Sequence, residues 1–490
     1  MAAPIGRRSE EDLPPSTTRT LSAEALAAFS ALEVTRPDVL RATPAYRALE
    51  HFGLALRPDF DGDLHWKSAS TSVIDTFWSH SWHGGSRKKI LTLLVLYNGR
   101  AAIAWGFLTV FISALLFAFG ILPGFKRNEE LLRTSSWCLP CGCFFALAAL
   151  ITSRPRQKRQ SILSLAGLLK NSEKMLVLWD QTWSQRLWCL FELAAFLKSR
   201  SSQSKKLTIQ PTFSGPCSLC AFITMFAAAL PFTAVPMENQ VRLWVVYPLF
   251  TVCGSITGYV AILAFRGYFR SIGILEDQLR SISFDHTRSH CCDVGHSDHG
   301  RTIMCDREVV TACVSSWFGS LEAFERCCQG EVLEALVCDL RYSVFTRSWT
   351  ICIASPVLWA SLDLAATWVA IGVWSKAIAW LLDDFSCWLL LNPLFVDYVV
   401  FLSRRYSKEA KPFRRELLLN LQVMLMSMPL LGLIVGFYLI LFLWKLPPEI
   451  QSVIFAGFLL LLTTCSFLIK ALWPQPPPSR ACGVSEGHSL

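Results

Sequence analysis

Charged residues are scarce in this chain, and several signatures of soluble enzymes are missing from it. Only 17% of its 490 residues are charged, against about 25% in an ordinary soluble domain. The sequence has no Walker loop, no glycine-rich dinucleotide fingerprint and no HExxH zinc motif, which argues against the enzyme classes built on them. Basic residues interleaved with aromatics are also missing, so we expect no nucleic-acid partner. The polar start, Met1 to Asp12, predicts no cleaved signal peptide.

Hydrophobic stretches are abundant instead, and they determine the expected fold class. Hydrophobic residues make up 52% of the chain, with 33 Phe and 18 Trp. A helix needs about 20 apolar residues to cross a bilayer, and about eight stretches approach that length. We place them at 101–121, 135–153, 217–236, 242–265, 348–374, 385–403, 417–444 and 450–472. The prediction is a mainly α, polytopic membrane protein with a small α/β module outside the membrane.

The loops between these stretches alternate in charge. Lys and Arg are concentrated in the segments 85–100, 154–215, 266–347 and 404–415, whereas the connections between them are short. Because basic loops remain on the cytosolic side, this pattern predicts that both termini and the long loops face the cytosol. We therefore expect an integral protein of a plasma membrane or endomembrane, with the lipid bilayer as its first partner.

This orientation divides the chain into membrane and cytosolic parts. They are a cytosolic N-terminal region 1–71, a module segment 72–100, a membrane hairpin 101–153, a second module segment 154–215, a second hairpin 216–265, a cytosolic Cys/His loop with an amphipathic helix 266–347, a four-span bundle 348–472 and a cytosolic tail 473–490. Because the first hairpin crosses the membrane twice, the chain returns to the cytosolic side. The segments 72–100 and 154–215, which we call the split module, can therefore assemble into one domain.

The split module contains the pattern of an α/β unit. Residues 72–82 are rich in strand-forming side chains and end in small polar ones. Residues 174–179 have the continuous apolar pattern of a buried strand, and an amphipathic helix is expected to begin near Gln185. Functional groups of such units lie at the carboxyl ends of the strands. The stretch 151–160 leads directly into a predicted helix, so we expect a shortened module that lacks one central strand.

At these residues the chain resembles the TIR (Toll/interleukin-1 receptor) superfamily. Ser79-His80-Ser81-Trp82 resembles the first box of TIR domains, and Trp188-Cys189-x-x-Glu192-Leu193 resembles their Trp-Cys-x-x-Glu-Leu motif. The chain is also similar to a family of multi-pass membrane proteins of protists that carry SHSW, RLWCxxEL and WFGS motifs around a membrane hairpin. The third motif is Trp317-Phe-Gly-Ser320 here. The likeness covers residues 72 to about 345 in patches.

The resemblance implies two alternative functions. The first is signalling or assembly by protein–protein contact through the module. The second is NAD cleavage, because TIR enzymes break the nicotinamide–ribose bond with the Glu of this motif, which is Glu192 here. A carboxylate beside the ribose can stabilise an oxocarbenium-like transition state. The resemblance then makes Glu192 catalytic and Trp179, Trp188 and Ser79 ligand-binding, with NAD as the ligand.

The segment 266–347 concentrates cysteine and histidine. Thiolates and imidazoles at short spacing suit a zinc ion, but the spacing here matches no standard zinc finger. One interpretation is a structural zinc bound by His290, Cys292, His296 and Cys305. The other is a cytosolic loop with reduced thiols.

Two aspartates lie inside predicted spans. A carboxylate is costly in hydrocarbon, so Asp363 and Asp397 predict either a polar pathway or a buried partner. A pathway would make the chain a membrane transporter or channel, which is the alternative function of a different class.

Overall fold

The fold is given by a computed structural model. It describes residues 40–57, 65–127, 132–152, 159–161, 165–199, 206–234, 247–298, 301–302, 305–334, 340, 346–409 and 411–472. Most of the N-terminal region and the tail 473–490 lie outside the described residues. The prediction that both termini face the cytosol therefore stays a prediction.

Helices dominate the described chain. They are α1 (Ala45–Gly53), α2 (Ser86–Ala118), α3 (Cys138–Thr152), α4 (Leu165–Lys170), α5 (Leu187–Lys198), α6 (Ser214–Ala234), α7 (Tyr247–Arg280), α8 (His290–Asp293), α9 (Asp306–Phe318), α10 (Leu321–Cys327), α11 (Arg347–Ile353), α12 (Ser355–Ala370), α13 (Trp374–Ser386), α14 (Asn392–Arg405), α15 (Phe413–Leu443) and α16 (Pro448–Leu472). Short 3-10 turns cover Leu54–Leu56, His65–Lys67, Trp183–Gln185 and Phe284–His286, and π-helical turns cover Cys328–Val332 and Cys387–Leu391.

Six helical segments are long and apolar enough to cross a bilayer. They lie in α2, α6, α7, α15, α16 and the continuous stretch Trp374–Arg405. The pair α11 and α12 adds a seventh if it counts as one span, although the two helices are bent by 52°. The described residues thus give six or seven spans where the sequence predicted about eight. The difference is α3, whose 15 residues fall short of the roughly 20 that a span needs.

The strands form one large sheet and two small ones. They are β1 (Arg41–Pro44), β2 (Ala69–Ser70), β3 (Ile74–His80), β4 (Phe125–Arg127), β5 (Leu132–Thr134), β6 (Arg159–Ser161), β7 (Ser172–Trp179), β8 (Lys206–Pro211), β9 (Ser297–Asp298) and β10 (Arg301–Thr302). The large sheet has the order β2-β1-β6-β3-β7-β8, and β6, β3, β7 and β8 are parallel. Strand β3 pairs with β7 from Ile74↔Ser172 to His80↔Leu178, across the hairpin in sequence.

Strand β6 overturns the expectation that a central strand is missing. Two of its three residues pair in parallel with β3, with Gln160 opposite Thr76 and Ser161 opposite Phe77. The parallel strands, counted along the chain, therefore have the order 2-1-3-4, which begins the flavodoxin-like doubly wound order. On the outer side, β1 is antiparallel to β6. Strands β1 and β2 bring part of the predicted N-terminal region into the same sheet.

Apolar cores cover the two faces of this sheet because alternate residues of a strand point to opposite sides. From β7, Met175, Val177 and Trp179 pack in one core with α5, α7 and α9. Leu176 and Leu178 pack in the other core with α1 and the first turns of α2. Helix α2 then continues into an uncharged stretch, 101–118. The helix thus links the sheet to the apolar bundle.

Candidate functional site

Polar side chains gather at the carboxyl ends of β3 and β7, where the order of the parallel strands reverses. In an open α/β sheet this switch point is where ligands bind. We call the group around it the switch-point cluster. It consists of Ser79, His80, Ser81, Lys89, Asp180, Thr182, Cys189 and Glu192.

Ser81 and Asp180 join the ends of the two strands. The hydroxyls of Ser81 and Thr182 lie 2.8 Å apart. Thr182 donates its backbone N–H to Asp180 Oδ1 at 2.9 Å, and its hydroxyl lies 2.5 Å from the same oxygen. The ammonium group of Lys89, in the first turn of α2, donates to the carbonyl oxygen of Ser81. The start of the membrane-type helix α2 is therefore anchored on the switch point.

Glu192 is turned into the module. Its Oε2 is buried without a hydrogen-bond partner, and the Ser79 hydroxyl hydrogen-bonds the carboxyl group. Ser79 Oγ also accepts the indole N–H of Trp183 at 2.9 Å, which leaves its proton for Glu192. Burial raises the pKa of Glu192 to about 8, against the opposing effect of Ser79. At neutral pH the carboxyl group is therefore mostly protonated.

The imidazole and thiol of the cluster are also held neutral. Burial, followed by the positive charge of Lys89, lowers the pKa of His80 to about 4. Burial, followed by the proximity of Glu192, raises the pKa of Cys189 well above its usual value. A thiolate is the nucleophilic form of cysteine. Cys189 is therefore not a nucleophile at neutral pH.

The two tryptophans that the resemblance assigns to ligand binding have different surroundings. Trp179 is 2% exposed and belongs to the core between the sheet and α5. Trp188 is 37% exposed and donates its indole N–H to Asp306 Oδ2 at 3.1 Å. The structure thus brings Ser79 and Glu192 together, whereas one tryptophan is inside the module and the other is on its surface.

Four metal-ligating side chains meet in the Cys/His loop. They are Cys291, Cys292, His296 and Cys305, whose ligand atoms all lie within 4.8 Å of one another. The sequence predicted His290 in place of Cys291, and the structure corrects this choice. In the short helix α8, neighbouring side chains point about 100° apart. His290 is exposed there and Cys291 is buried, on the side of the other ligands.

Three distances within this Cys/His cluster are close to those between the ligand atoms of a tetrahedral metal site. Zinc binds sulfur at about 2.3 Å and imidazole nitrogen at about 2.0–2.1 Å, so tetrahedral ligand atoms lie about 3.5–3.8 Å apart. Cys292 Sγ is 3.8 Å from Cys291 Sγ, 3.6 Å from His296 Nε2 and 3.9 Å from Cys305 Sγ. His296 adopts a left-handed backbone with φ 57°, an uncommon conformation that recurs at ligand sites.

Asp363 has a buried structural partner. Its Oδ1 accepts the Ser135 hydroxyl at 2.5 Å and the backbone N–H groups of Trp137 and Cys138 at 2.9 Å, while Oδ2 accepts the N–H of Leu139 at 3.1 Å. The first N–H groups of a helix have no partner inside it. Asp363, on α12, thus caps α3. Asp397 is half-buried on α14.

Sequence reasoning missed Lys89, Asp180 and Cys291. Asp180 directly follows a buried strand, and this position was a usable signal. Lys89 stands in the run Arg87-Lys88-Lys89, which is typical of a solvated segment. Its burial depends on how α2 packs against the sheet, and no local pattern indicates it.

Comparisons with known proteins give no further indication of function. No family model, no curated protein and no solved structure matches the chain. A proposal for the function therefore depends on the geometry of the switch-point cluster and of the Cys/His cluster.

Proposed function

We propose that the chain is an integral membrane protein whose split module is TIR-like and acts on the cytosolic side by contact with other proteins. The parallel strands of order 2-1-3-4 support a doubly wound module. Its two segments pair across the first hairpin, which fits the order of the motifs in the sequence.

The state of Glu192 supports protein contact over NAD cleavage. Stabilising an oxocarbenium-like transition state requires an ionised carboxylate near the sugar. Glu192 is mostly protonated at neutral pH, and its hydroxyl partner Ser79 is itself fully buried. Here the motif residue is held inside the module, as a neutral carboxyl group hydrogen-bonded to Ser79.

The surface near the motif supports the same proposal. Trp82 is 49% exposed and Trp188 is 37% exposed. Tryptophan is enriched among the residues that dominate protein interfaces. These two rings therefore suit a protein partner.

Zinc is the ion that we assign to the Cys/His cluster. Three thiols and one imidazole at these distances form a closed ligand set of the structural type. The backbone N–H of Asp306 also donates to Cys291 Sγ at 3.2 Å. Such outer hydrogen bonds orient metal ligands, so the role of the ion is to hold this loop against the module.

Nicotinamide release from NAD by the reconstituted full-length protein separates the two functions. We expect no release from the wild type or from Glu192→Ala. Release by the wild type that disappears in Glu192→Ala would establish NAD cleavage and overturn the proposal.

A photo-crosslinking amino acid at position 82 of the full-length protein in its native membrane tests the contact directly. We expect a protein adduct there that is lost on Trp188→Ala. The same amino acid at the exposed position 173, at the other end of β7, is the control and gives no adduct. Adducts at neither position would count against protein contact.

Transport through Asp363 and Asp397 is the weaker alternative. Four hydrogen bonds hold the Asp363 carboxylate at the start of α3. Transport would therefore have to depend on Asp397, and flux measurements on variants of both aspartates test it.

A further inference from the structure

A cavity of about 830 Å³ lies between the sheet and the membrane-type helices. Strands β3, β7 and β8 form one wall, and helices α2, α3, α6 and α11 form the others. Its volume falls within the roughly 300–1,000 Å³ of ordinary ligand sites. It is separate from the switch-point cluster, because no residue of that cluster lines it and its β7 residues, 174–176, come from the amino-terminal half of that strand.

One end of the cavity is positively charged. Lys174 and Lys206 are Cα partners on adjacent parallel strands, so both side chains leave the sheet on the same face. Leu176, two residues after Lys174, packs toward α2, which identifies that face as the cavity side. Like charges side by side on a sheet repel each other. Arg100 of α2 adds a third cation, and the described lining residues include no Asp or Glu.

One helix end and several hydroxyl groups add to this positive potential. Ser214 begins the long helix α6 and lines the cavity. The amino-terminal end of a helix carries a partial positive charge that favours anions. Thr76, Thr208 and Ser348 also line it and offer hydroxyl donors.

The other end of the cavity is apolar. It is lined by Leu147, Leu150, Leu219, Phe222 and Ile353 from three different helices. Arg100 is followed by residues 101–118, which contain no charge, so it stands where α2 enters the bilayer. The cationic end thus lies at the level of lipid headgroups and the apolar end at the level of acyl chains.

We propose that this cavity binds an anionic phospholipid of the surrounding bilayer. Lys174, Lys206 and Arg100 bind the phosphate, and the acyl chains lie between α3, α6 and α11. Basic pockets between membrane helices at the membrane surface bind anionic headgroups in this way. The lipid relieves the repulsion between Lys174 and Lys206 and fixes the sheet against the bundle.

Native mass spectrometry of the delipidated full-length protein in detergent tests the site. The probes are phosphatidylglycerol and phosphatidylcholine of the same chain length. We expect one phosphatidylglycerol to bind more tightly than phosphatidylcholine. Lys174→Gln/Lys206→Gln should weaken phosphatidylglycerol binding about 30-fold, because each cation contributes roughly a factor of five.

Arg87→Gln/Lys88→Gln is the matched control, since it removes two exposed cations of α2 that do not line the cavity. We expect it to bind phosphatidylglycerol as the wild type does. An equal loss in both double variants, or equal binding of the two lipids, would overturn the proposal. Displacement of the lipid by excess inorganic phosphate would assign the site to a soluble phosphate compound and would overturn it too. Thermal melting of each variant shows whether the protein is folded, and Lys174→Arg/Lys206→Arg should bind like the wild type.

Discussion

The indole nitrogen of Trp188 lies 3.1 Å from the carboxylate of Asp306, and this contact joins the helix that carries Glu192 to the Cys/His cluster. The same Asp306 oxygen accepts the Ser289 hydroxyl at 3.0 Å, and Ser289 Oγ lies 3.0 Å from Cys291 Sγ. One carboxylate therefore bridges a candidate metal ligand and the helix that carries Glu192. The sequence presents these as separate features, more than 100 residues apart.

The ligand set of the cluster predicts which histidine holds the metal. His296→Ala should lose bound zinc, because it removes one of four ligands of a closed site. His290→Ala is the matched control, and it should keep its zinc because His290 is exposed and outside the cluster. Zinc per chain in the purified full-length protein is the measurement. Loss of zinc in the His290 variant alone would contradict the assignment.

The bridge through Asp306 predicts a second, weaker effect on zinc. Asp306→Ala should raise the zinc dissociation constant up to about tenfold, the lower end of the effect of losing an outer hydrogen bond. The carboxylate reaches Cys291 only through Ser289, and the backbone N–H of residue 306 still donates to Cys291 Sγ. Asp293→Ala removes an exposed carboxylate of α8 and should leave the constant unchanged. Competition with a chelator measures both. Equal weakening in the two variants would show a general charge effect instead.

Glu192 predicts how the stability of the module depends on pH. Its pKa is raised from 4.5 to about 8 in the folded state, so the folded protein holds a proton that the unfolded chain releases. The free energy of unfolding is therefore highest below pH 4.5 and falls as the pH rises to about 8. Glu192→Gln should remove this slope. Melting temperatures at a series of pH values give the test, and parallel curves for the two proteins would contradict it.

Replacing Gly84 should lower the stability of the protein far more than replacing its neighbour Gly85. A Cβ at Gly84 would lie 1.8 Å from Asp180 Oδ2, whereas at Gly85 it would meet only Lys88 Cγ at 4.0 Å. Gly84→Ala should therefore destabilise the protein by about 1–3 kcal/mol, and Gly85→Ala should cost much less. The thermal midpoints of the two variants decide this. Equal midpoints would contradict the prediction, because they would mean that the turn after β3 shifts to accommodate the added Cβ.

Part of this architecture was predictable from the sequence, and the reasons are physical. Bilayer thickness sets helix length, so apolar runs predicted where the long helices lie, but not that α3 would be short. Strand chemistry indicated β3 and β7, whereas β6 has only three residues and no hydrophobic pattern. Whether His290 or Cys291 is a metal ligand depends on which of the two side chains of the short helix α8 points toward the other ligands. Lys89 is buried only because α2 packs on the carbonyl of Ser81.

Asp363 gives the prediction that separates a structural carboxylate from a transport residue. Asp363→Ala leaves the N–H groups of Trp137, Cys138 and Leu139 without their acceptor, and each unsatisfied buried group costs about 1–3 kcal/mol. Asp363→Asn keeps one carbonyl acceptor, so its melting temperature should lie between those of the alanine variant and the wild type. Asp397→Asn, on α14, makes the same substitution at the second aspartate of the predicted spans, and its melting temperature is compared with that of Asp363→Asn.

Proton flux into vesicles that contain the reconstituted protein, followed with a pH-sensitive dye, completes this test. If Asp363 is a cap, any flux changes only when the protein melts, and Asp363→Asn behaves as the wild type at temperatures where both are folded. If flux disappears in Asp363→Asn or Asp397→Asn while the melting temperature is unchanged, the carboxylate carries protons and the chain is a transporter. The N–H donors around Asp363 favour the first result, because four hydrogen bonds fix its carboxylate at the start of α3 as a helix cap.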